Sequence, residues 1–449
     1  MDSKSYQSPE LLLDDLPADT LGKGLPALTV KSGIDRLLEH DIPPERNLGS
    51  FVSTGLNDIG ESLLLENYQR NLACQNEYTG VRKIHDRCVA ILGALWGSPC
   101  NEKPIGSAVS GSSEAIFLGI LAMKRKWQAE NGGIASPHGP ALNIITGSHA
   151  HVAVTNAARA NDIEIRTVLV GPESNYSFDP SKMQGLLDSS TIGVVLVLGN
   201  TYTGHFDPIE NASIVLDNYE HSYGRSIPIH VDAASGGFVA PFNGGNSSPW
   251  DFALPRVASI NVSGHKFGLT AATLGWIIWR NRGFLPSDLL HESSYLSGHH
   301  ELPTLRYSQS SANLLIQYYQ LAHLGHQGYE NVIQDLLKRS SALGKTLEET
   351  GIFTCISESH RALANTLPVV VFRVNSVVQD KRPDVTEQWI SDKLFNKGYS
   401  VPCSKLPIDG EDIEVLRVVM RPSLKPHVLD SFVAELLSLF NNKMFKSLL

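Results

Sequence analysis

Short apolar segments alternate with helix-like segments through the middle of the chain. They lie at residues 142–145, 165–170, 194–198, 227–231, 259–262 and 274–279. Most are rich in β-branched residues and apolar throughout, as strands covered on both faces are. Because helix-like or loop segments separate them, the pattern predicts a mostly parallel α/β sheet.

The segments on either side follow other patterns. Residues 1–55 show no sustained period and predict an N-terminal arm that packs on another part of the molecule. Residues from about 55 to 130 have a helical pattern, and another helix is predicted at 311–324. Strands are then predicted at 367–374 and 415–420, and helices at 385–396 and 428–440. We therefore predict a large domain at 56–325 and a small C-terminal α/β domain at 326–449.

The composition is that of an ordinary globular protein. Of the 449 residues, 42% are hydrophobic and 18% charged, which allows a large core. The net charge of −9 argues against a nucleic-acid-binding surface, which needs a basic stripe. Five cysteines without Cys-x-x-Cys spacing argue against a zinc site or a disulfide framework. With neither a signal-like N-terminus nor a membrane-length apolar segment, the sequence predicts a cytoplasmic protein.

Two charged residues stand directly after predicted strands, and together they change the functional prediction. Lys266 ends Ser-Gly-His-Lys at the strand edge where open α/β sheets build their sites. Asp232 stands at the same edge about one strand earlier, before glycines that would let backbone approach a ligand. A buried aspartate needs a cationic partner, and a protonated pyridine nitrogen is one. A surface lysine and a helix-capping aspartate would explain each residue alone. The pair indicates pyridoxal 5′-phosphate held as a Schiff base on Lys266.

Two further segments supply candidate contacts to such a cofactor. Ser112 and Ser113 open a predicted helix, where hydroxyls and backbone N–H groups can bind a phosphate. A plain serine N-cap is the alternative. Ser-His-Ala-His at residues 148–151 follows a predicted strand, so one of its imidazoles could lie flat on the pyridine ring. The alternative is a core histidine satisfied by the backbone.

These motifs resemble group II pyridoxal-phosphate decarboxylases and, within that group, the glutamate decarboxylases. The resemblance rests on Gly-Ser-Ser-Glu-Ala at 111–115, Thr-Tyr-Thr-Gly at 201–204, and the segments 230–242 and 259–269. It implies an aspartate-aminotransferase-like fold of type I and a pyridoxal-phosphate cofactor. The implied reaction is α-decarboxylation of an L-amino acid, glutamate or a related acidic one. The implied assembly is a homodimer, or a multiple of dimers, with the active site at the subunit boundary.

The resemblance also implies roles for single residues. Lys266 would carry the Schiff base, Asp232 bind the pyridinium nitrogen, His151 stack on the ring, and Tyr295, in a loop over the site, protonate Cα. The remaining implied cofactor contacts are Ser112, Ser113, Thr201, Ala234, Ser263, His265 and, from a second subunit, Ser308. The implied substrate contacts are Ser50, Phe51, Asn71 and Arg421, with Arg421 holding the α-carboxylate.

The sequence departs from the glutamate decarboxylase pattern around the substrate. Cys74 stands where an acidic residue that recognises the distal carboxyl is common, and Ser50 replaces a threonine. Because lost polar recognition can change specificity by orders of magnitude, aspartate, a larger amino acid or a biosynthetic intermediate stays an alternative substrate. A carbon–carbon lyase, a decarboxylation-dependent aldehyde synthase and a Cβ-replacement enzyme stay alternative reactions. Retention of Tyr295 favours simple decarboxylation, and retention of Lys266, Asp232 and His151 argues against a catalytically silent scaffold.

Overall fold

Two sheets and the helices around them organise the chain. The computed structural model describes residues 24–52, 55–74, 76–132, 141–244, 248–290, 303–361, 365–408 and 412–440. The strands are β1 Ile105–Val109, β2 Asn143–Gly147, β3 Glu164–Val168, β4 Thr191–Val197, β5 Ile229–Asp232, β6 Val257–Ser263, β7 Gly275–Trp279, β8 Phe353–Cys355, β9 Val369–Val374, β10 Cys403–Lys405 and β11 Glu414–Val419. The α-helices are α1 Ala27–Leu38, α2 Asp58–Asn67, α3 Thr79–Leu95, α4 Ser112–Glu130, α5 Val152–Ala160, α6 Pro180–Met183, α7 Ile209–Tyr223, α8 Ala312–Glu349, α9 Ser376–Lys381, α10 Glu387–Phe395 and α11 Pro426–Ser438.

The larger sheet has the strand order β1-β7-β6-β5-β4-β2-β3. Its β3, β2, β4, β5 and β6 pair in parallel, whereas β7 pairs antiparallel with β6 and with β1. Every residue of β2, β4, β5, β6 and β7 is buried, as the continuous apolar segments predict. The predicted mostly parallel sheet, with all six of its predicted strands, is confirmed.

Strand β1 was not predicted, and the helical pattern assigned to residues 55–130 is wrong there. Its sequence, Ile-Gly-Ser-Ala-Val, carries a glycine and two small residues and lacks a strong strand pattern. It becomes a strand because its residues pair antiparallel with the fully buried β7. Pairing in the folded protein thus overrides a weak local preference.

The smaller sheet has the order β10-β11-β9-β8, with antiparallel pairing throughout. Together with α9, α10 and α11 it forms the predicted small C-terminal α/β unit. Helix α8 leads into this unit and is interrupted at Gly325, whose φ of 56° and ψ of −167° are not helical. Glycine adopts this backbone conformation without the steric cost that a Cβ atom would bring.

Residues 44–52 of the N-terminal arm are fixed to the small sheet. The Leu48 amide donates to the carbonyl of Ser400 at 2.9 Å, and the Val419 amide donates to the carbonyl of Leu48 at 2.8 Å. Gly49 lies so close to Pro402 that a Cβ atom would stand 2.1 Å from the proline Cδ. The arm therefore packs on β11, beside the carboxyl edge of the larger sheet. No helix in the described part of the chain is long and apolar enough to cross a membrane.

Candidate active site

A cavity of about 320 Å³ opens at the carboxyl edge of the larger sheet, where β4, β5 and β6 end. Such edges are where open α/β sheets bind ligands. The predicted cofactor residues that line it are Ser112, Ser113, His151, Thr201, Asp232, Ala234, Ser263, His265 and Lys266. The structure thus brings together every predicted cofactor residue except Ser308.

Lys266 follows β6 and holds its amine inside the cavity. Its Nζ donates to Ser235 Oγ at 3.1 Å. Burial lowers the Lys266 pKa to about 8, opposed by the Asp232 carboxylate and reinforced by the Arg417 guanidinium. Because this pKa is lower than that of a solvated lysine, more of the side chain is the neutral amine, the form that attacks a carbonyl carbon.

Asp232 ends β5 and is held by a chain of polar groups within the sheet. Its Oδ1 accepts from Asn261 Nδ2 at 2.9 Å and from the Ala234 amide at 3.1 Å. His230 lies behind, with Nε2 2.8 Å from Asn261 Oδ1 and Nδ1 2.7 Å from Ser259 Oγ. Burial lowers the His230 pKa to about 4, so the neutral ring donates from Nε2 to the amide oxygen. Within the described residues, no hydrogen bond engages Oδ2 of Asp232.

The two histidines of the Ser-His-Ala-His segment have different surroundings. His151 accepts from the Ala153 amide through Nδ1 at 3.1 Å and so caps α5. Burial is the largest influence on its pKa and lowers it, which favours the neutral ring. His149 is buried, with Nε2 2.9 Å from Asp207 Oδ1. Its Nδ1 has no partner among the described residues, although His149 also lines the cavity.

The other end of the cavity is formed by the start of α4. Ser112 Oγ lies 2.8 Å from Ser263 Oγ, and the first turn of α4 has backbone N–H groups without helical acceptors. A Cβ atom on Gly275 would stand 2.5 Å from the Gly111 carbonyl carbon, so β7 allows this close approach only with glycine. His265 Nδ1 donates to the Leu274 carbonyl at 2.8 Å. Hydroxyls and N–H groups thus converge as an anion site does.

The glycines after Asp232 were predicted to let the backbone approach a ligand, but the structure shows a different reason for them. A Cβ atom on Gly236 would stand 2.2 Å from the Leu198 carbonyl oxygen, and one on Gly237 would stand 2.9 Å from Val262 Cγ2. The glycines therefore let the chain pack against the neighbouring strand ends, rather than against a ligand.

The residues of the cavity fit pyridoxal 5′-phosphate. The amine of Lys266 suits its aldehyde, the available carboxylate oxygen of Asp232 suits its pyridinium nitrogen, and the start of α4 suits its phosphate. His149 adds a buried ring nitrogen without a partner in the described part of the chain. An amine, an anion and a phosphate cradle in one cavity are the groups this cofactor requires.

Phe51 brings the N-terminal arm to Lys266. Its ring centre lies 5.3 Å from Lys266 Nζ and 5.0 Å from Arg417 Cζ, and the ring meets Phe267 edge-on at 6.3 Å. Ser50 forms a local turn, in which its Oγ accepts from the Val52 amide at 3.1 Å. Phe51 is therefore next to the reactive amine, whereas the hydroxyl of Ser50 is engaged by its own backbone.

Arg421 does not lie at the cavity. Only 2% of the residue is exposed, and its guanidinium donates to the carbonyls of Val52 at 2.6 Å, Asn47 at 2.7 Å and Pro44 at 3.4 Å. The guanidinium is committed to these carbonyls, and the role predicted for Arg421 in binding the α-carboxylate stays a prediction. Arg417, four residues earlier, is partly exposed.

Arg417, which sequence reasoning did not select, adjoins Phe51 and does not itself line the cavity. Its Nη1 donates to the Thr201 carbonyl at 2.6 Å, and its Nη2 donates to the Gly49 carbonyl at 3.0 Å. Its Nε has no hydrogen-bond partner among the described residues, and the side chain is partly exposed. Burial lowers the Arg417 pKa, which is expected for a charge brought into a site with little solvent.

Other predicted residues lie elsewhere. Asn71 Nδ2 lies 3.4 Å from Ser308 Oγ, and the Leu72 amide donates to the Gln309 carbonyl at 2.9 Å. Neither Asn71 nor Ser308 lines the cavity that holds Lys266. Tyr295 lies outside the described residues.

Sequence reasoning also missed Glu114 and Ser235, which line the cavity within the very motifs that carried the prediction. The motif marks the right segment, but it does not tell which way each side chain points.

A type I fold with a lysine and an aspartate at the carboxyl edge of its sheet defines a pyridoxal-phosphate enzyme. Residues 56–375 match the family model of the pyridoxal-dependent decarboxylase conserved domain, and the chain belongs to this family. It is therefore a carboxy-lyase that uses pyridoxal 5′-phosphate.

Similar proteins agree with this classification. Glutamate decarboxylase 3 of Arabidopsis thaliana is 36% identical over 400 residues, which cover 89% of this chain and 77% of that protein. Glutamate decarboxylase of Saccharomyces cerevisiae is 34% identical, over 93% of this chain and 77% of that one. The structure of Lactobacillus brevis glutamate decarboxylase superimposes with a TM-score of 0.88 at 31% identity, covering 94% of each chain.

Proposed function

We propose that the chain removes the α-carboxylate of L-glutamate, or of a related acidic amino acid, releasing carbon dioxide and an amine. The observation that carries this proposal is the Arg417 guanidinium, which is partly exposed beside Phe51 and the Lys266 amine. A guanidinium is suited to bind a carboxylate through paired N–H donors. The similar proteins that bear the name glutamate decarboxylase support glutamate as the first substrate to test.

Each part of the cavity has a role in this proposal. Pyridoxal 5′-phosphate, when bound, supplies an electron sink for the bonding electrons that the departing carboxylate leaves on Cα. Lys266 binds the cofactor aldehyde through Nζ, and Asp232 keeps the pyridine nitrogen protonated by placing an anion beside it. Ser112 and Ser113 bind the phosphate, and His151 covers the ring.

Contacts with the cofactor are also proposed for Thr201, Ala234, Ser263 and His265.

The choice of bond is proposed to depend on how the substrate is oriented. Arg417 holds the α-carboxylate, and Phe51 limits the space beside it, so that the reacting bond keeps one direction. Ser50 supports the substrate side through its turn. Tyr295 is proposed to return a proton to Cα, which completes simple decarboxylation.

We further propose a homodimer whose partner completes each site. Helices α1 and α2 carry large apolar side chains that are exposed in the single chain, including Leu28 at 80% and Leu65 at 71%. Burying such a surface against a second copy would stabilise a dimer. Asn71 and Ser308 contact each other away from their own cavity, which supports a role in the cavity of the partner.

Mixed dimers test this arrangement. Lys266→Ala and Ser308→Glu chains, each inactive alone, are combined after separate labelling. If Ser308 acts in the partner, one site of each mixed dimer carries both defects and the other carries none, so activity returns. If Ser308 acts in its own chain, every site keeps one defect and the mixture stays inactive. A matched mixture of Lys266→Ala with itself gives the baseline.

The remaining proposals concern organisation and location. We propose an arm at 1–55, a cofactor domain at 56–325 and a small domain at 326–449, supported by the break in α8 at Gly325. Limited proteolysis should cut first near the proposed boundaries, and a first cut inside one of the domains would contradict these limits.

A cytoplasmic location is proposed from the scattered cysteines, which are all unpaired in the structure. Cell fractionation tests it.

The activity is tested by carbon dioxide release from the common L-amino acids, with the products identified by mass. We expect release from glutamate with 4-aminobutanoate as the product. Release from another amino acid and none from acidic ones would overturn the substrate assignment. An aldehyde product would instead favour decarboxylation-dependent aldehyde synthesis on the same scaffold.

A further inference from the structure

Glu114 is a buried carboxylate at the edge of the cavity, and hydrogen-bond donors surround it. Only 8% of the residue is exposed. Its Oε2 accepts from the amide and the hydroxyl of Ser110 at 2.9 and 2.8 Å. Its Oε1 accepts from Thr304 Oγ1 and from the Leu305 amide, both at 2.8 Å. Four such bonds to an anion are each stronger than a bond between neutral groups.

The two oxygens join segments that are far apart in the sequence. Ser110 lies two residues before the start of α4, where Ser112 and Ser113 line the anion site. Thr304 and Leu305 belong to residues 303–311, which we call the 303–311 segment. That segment is itself anchored, because the Leu72 amide donates to Gln309 and the Ser311 amide donates to Arg70.

A helix-capping role alone does not account for this geometry. A glutamate in the first turn of a helix is favourable beside the helix dipole, and Oε2 on Ser110 is enough for that. Oε1 makes a separate connection, because both of its donors belong to the 303–311 segment, about 190 positions after Glu114 in the sequence. The start of α4 is therefore tied to an independent, anchored part of the protein.

We propose that Glu114 is a positioning residue for the cofactor phosphate: it holds residues 110–113 in place by tying them to the 303–311 segment. This inference rests on the pyridoxal-phosphate site assigned above. Without the tie, the hydroxyls and amides at the start of α4 have to be ordered when the phosphate binds. The affinity for the phosphate then falls, because ordering costs free energy at the moment of binding.

The test is a spectroscopic titration of cofactor-depleted protein with pyridoxal 5′-phosphate and, separately, with pyridoxal, which lacks the phosphate. Glu114→Gln keeps the size but replaces one acceptor oxygen with an N–H donor, so about two of the four bonds are lost. We expect roughly tenfold to hundredfold weaker binding of pyridoxal 5′-phosphate. Binding of pyridoxal should stay within about twofold of that of the original protein.

Thr304→Val keeps the side-chain volume and removes one donor to Oε1. It should weaken binding of pyridoxal 5′-phosphate by about threefold to tenfold. The double variant should lose less than the product of the two single losses, because both changes remove the same interaction. This variant also keeps the proposal testable if Glu114→Gln folds poorly.

The matched control is Glu130→Gln, the same substitution at the other end of α4, where the carboxylate pairs with Lys126 at the surface. It should leave both titrations unchanged. Equal losses for pyridoxal and its phosphate, or multiplicative losses in the double variant, would overturn the role of Glu114. If the original protein bound neither compound, the cofactor assignment itself would fail, so the two failures are distinguishable.

Discussion

The guanidinium carbon of Arg417 lies 5.0 Å from the ring centre of Phe51. Lys266 Nζ lies 5.3 Å from the same ring, so an aromatic side chain adjoins both cations. The face of an aromatic ring attracts a cation, which compensates in part for bringing both charges into a site with little water. The same ring therefore lies beside the Lys266 amine and the guanidinium that we propose binds a carboxylate.

Arg417 and Arg421 should respond differently to substitution. Arg417→Met removes the proposed carboxylate clamp, so kcat/KM should fall by about a hundredfold or more. Bound cofactor, followed by its visible absorption, should remain. Arg373→Met, on the neighbouring strand β9, is the control and should keep its activity. A kcat/KM value for Arg417→Met equal to that of the original protein would remove Arg417 from the site.

Arg421 is expected to matter chiefly for stability. Arg421→Met leaves the partly buried carbonyls of Val52 and Asn47 without their donor, which should lower the free energy of unfolding by about 1–3 kcal/mol. Urea unfolding measures this change. Arg421→Lys retains one donor and should keep kcat/KM within about tenfold. A larger loss of activity in a stably folded Arg421→Lys protein would return Arg421 to substrate binding.

The Lys266 pKa predicts how cofactor capture depends on pH. Burial lowers this pKa to about 8, so the neutral amine becomes more abundant as the pH rises through that value. The capture rate should increase about tenfold per pH unit below it and level off above. Stopped-flow absorbance measures the rate. The same measurement with Nα-acetyl-lysine, a free amine, shows how much of the pH dependence comes from ionisation of the cofactor itself.

Removing a neighbouring charge should move this midpoint. The Arg417 guanidinium lowers the Lys266 pKa, so its removal in Arg417→Met should shift the midpoint upward. A downward shift, or a capture rate that rises only at the pH expected for a solvated lysine, would contradict the proposed environment.

Asn261 links Asp232 to His230, and its replacement should affect stability and turnover together. Asn261→Leu removes a donor from the Asp232 carboxylate and leaves the His230 N–H unsatisfied, at a cost of about 2–3 kcal/mol in unfolding free energy. The kcat should fall at least about tenfold, because Asp232 loses its fixed orientation. Urea unfolding and steady-state kinetics measure the two effects.

Asn143→Leu is the matched control for this variant. Asn143 is also buried and donates to an aspartate, Asp188, at 3.0 Å, but it stands at the first residue of β2, at the opposite edge of the sheet. Its replacement should lower stability by a similar amount and leave kcat unchanged. Equal losses of kcat in both variants would mean that Asn261 acts only through stability.

The strands and the two central site residues were predictable from the sequence. A strand buried on both faces is apolar throughout, so β2, β4, β5, β6 and β7 are visible in the local pattern. Lys266 and Asp232 follow such strands, and parallel strands end at a common edge. Their meeting in one cavity therefore followed from chain order, without knowledge of side-chain directions.

Only the tertiary structure distinguished Arg417 from Arg421. The two arginines are four residues apart, and their surroundings depend on residues 44–52, which lie about 370 positions earlier and fold onto β11. The same holds for Glu114, whose second oxygen meets Thr304 and Leu305. A local pattern determines which segments are buried, because burial depends on the polarity of each segment. The partner of a polar side chain depends on contacts between distant segments, and these form only when the whole chain folds.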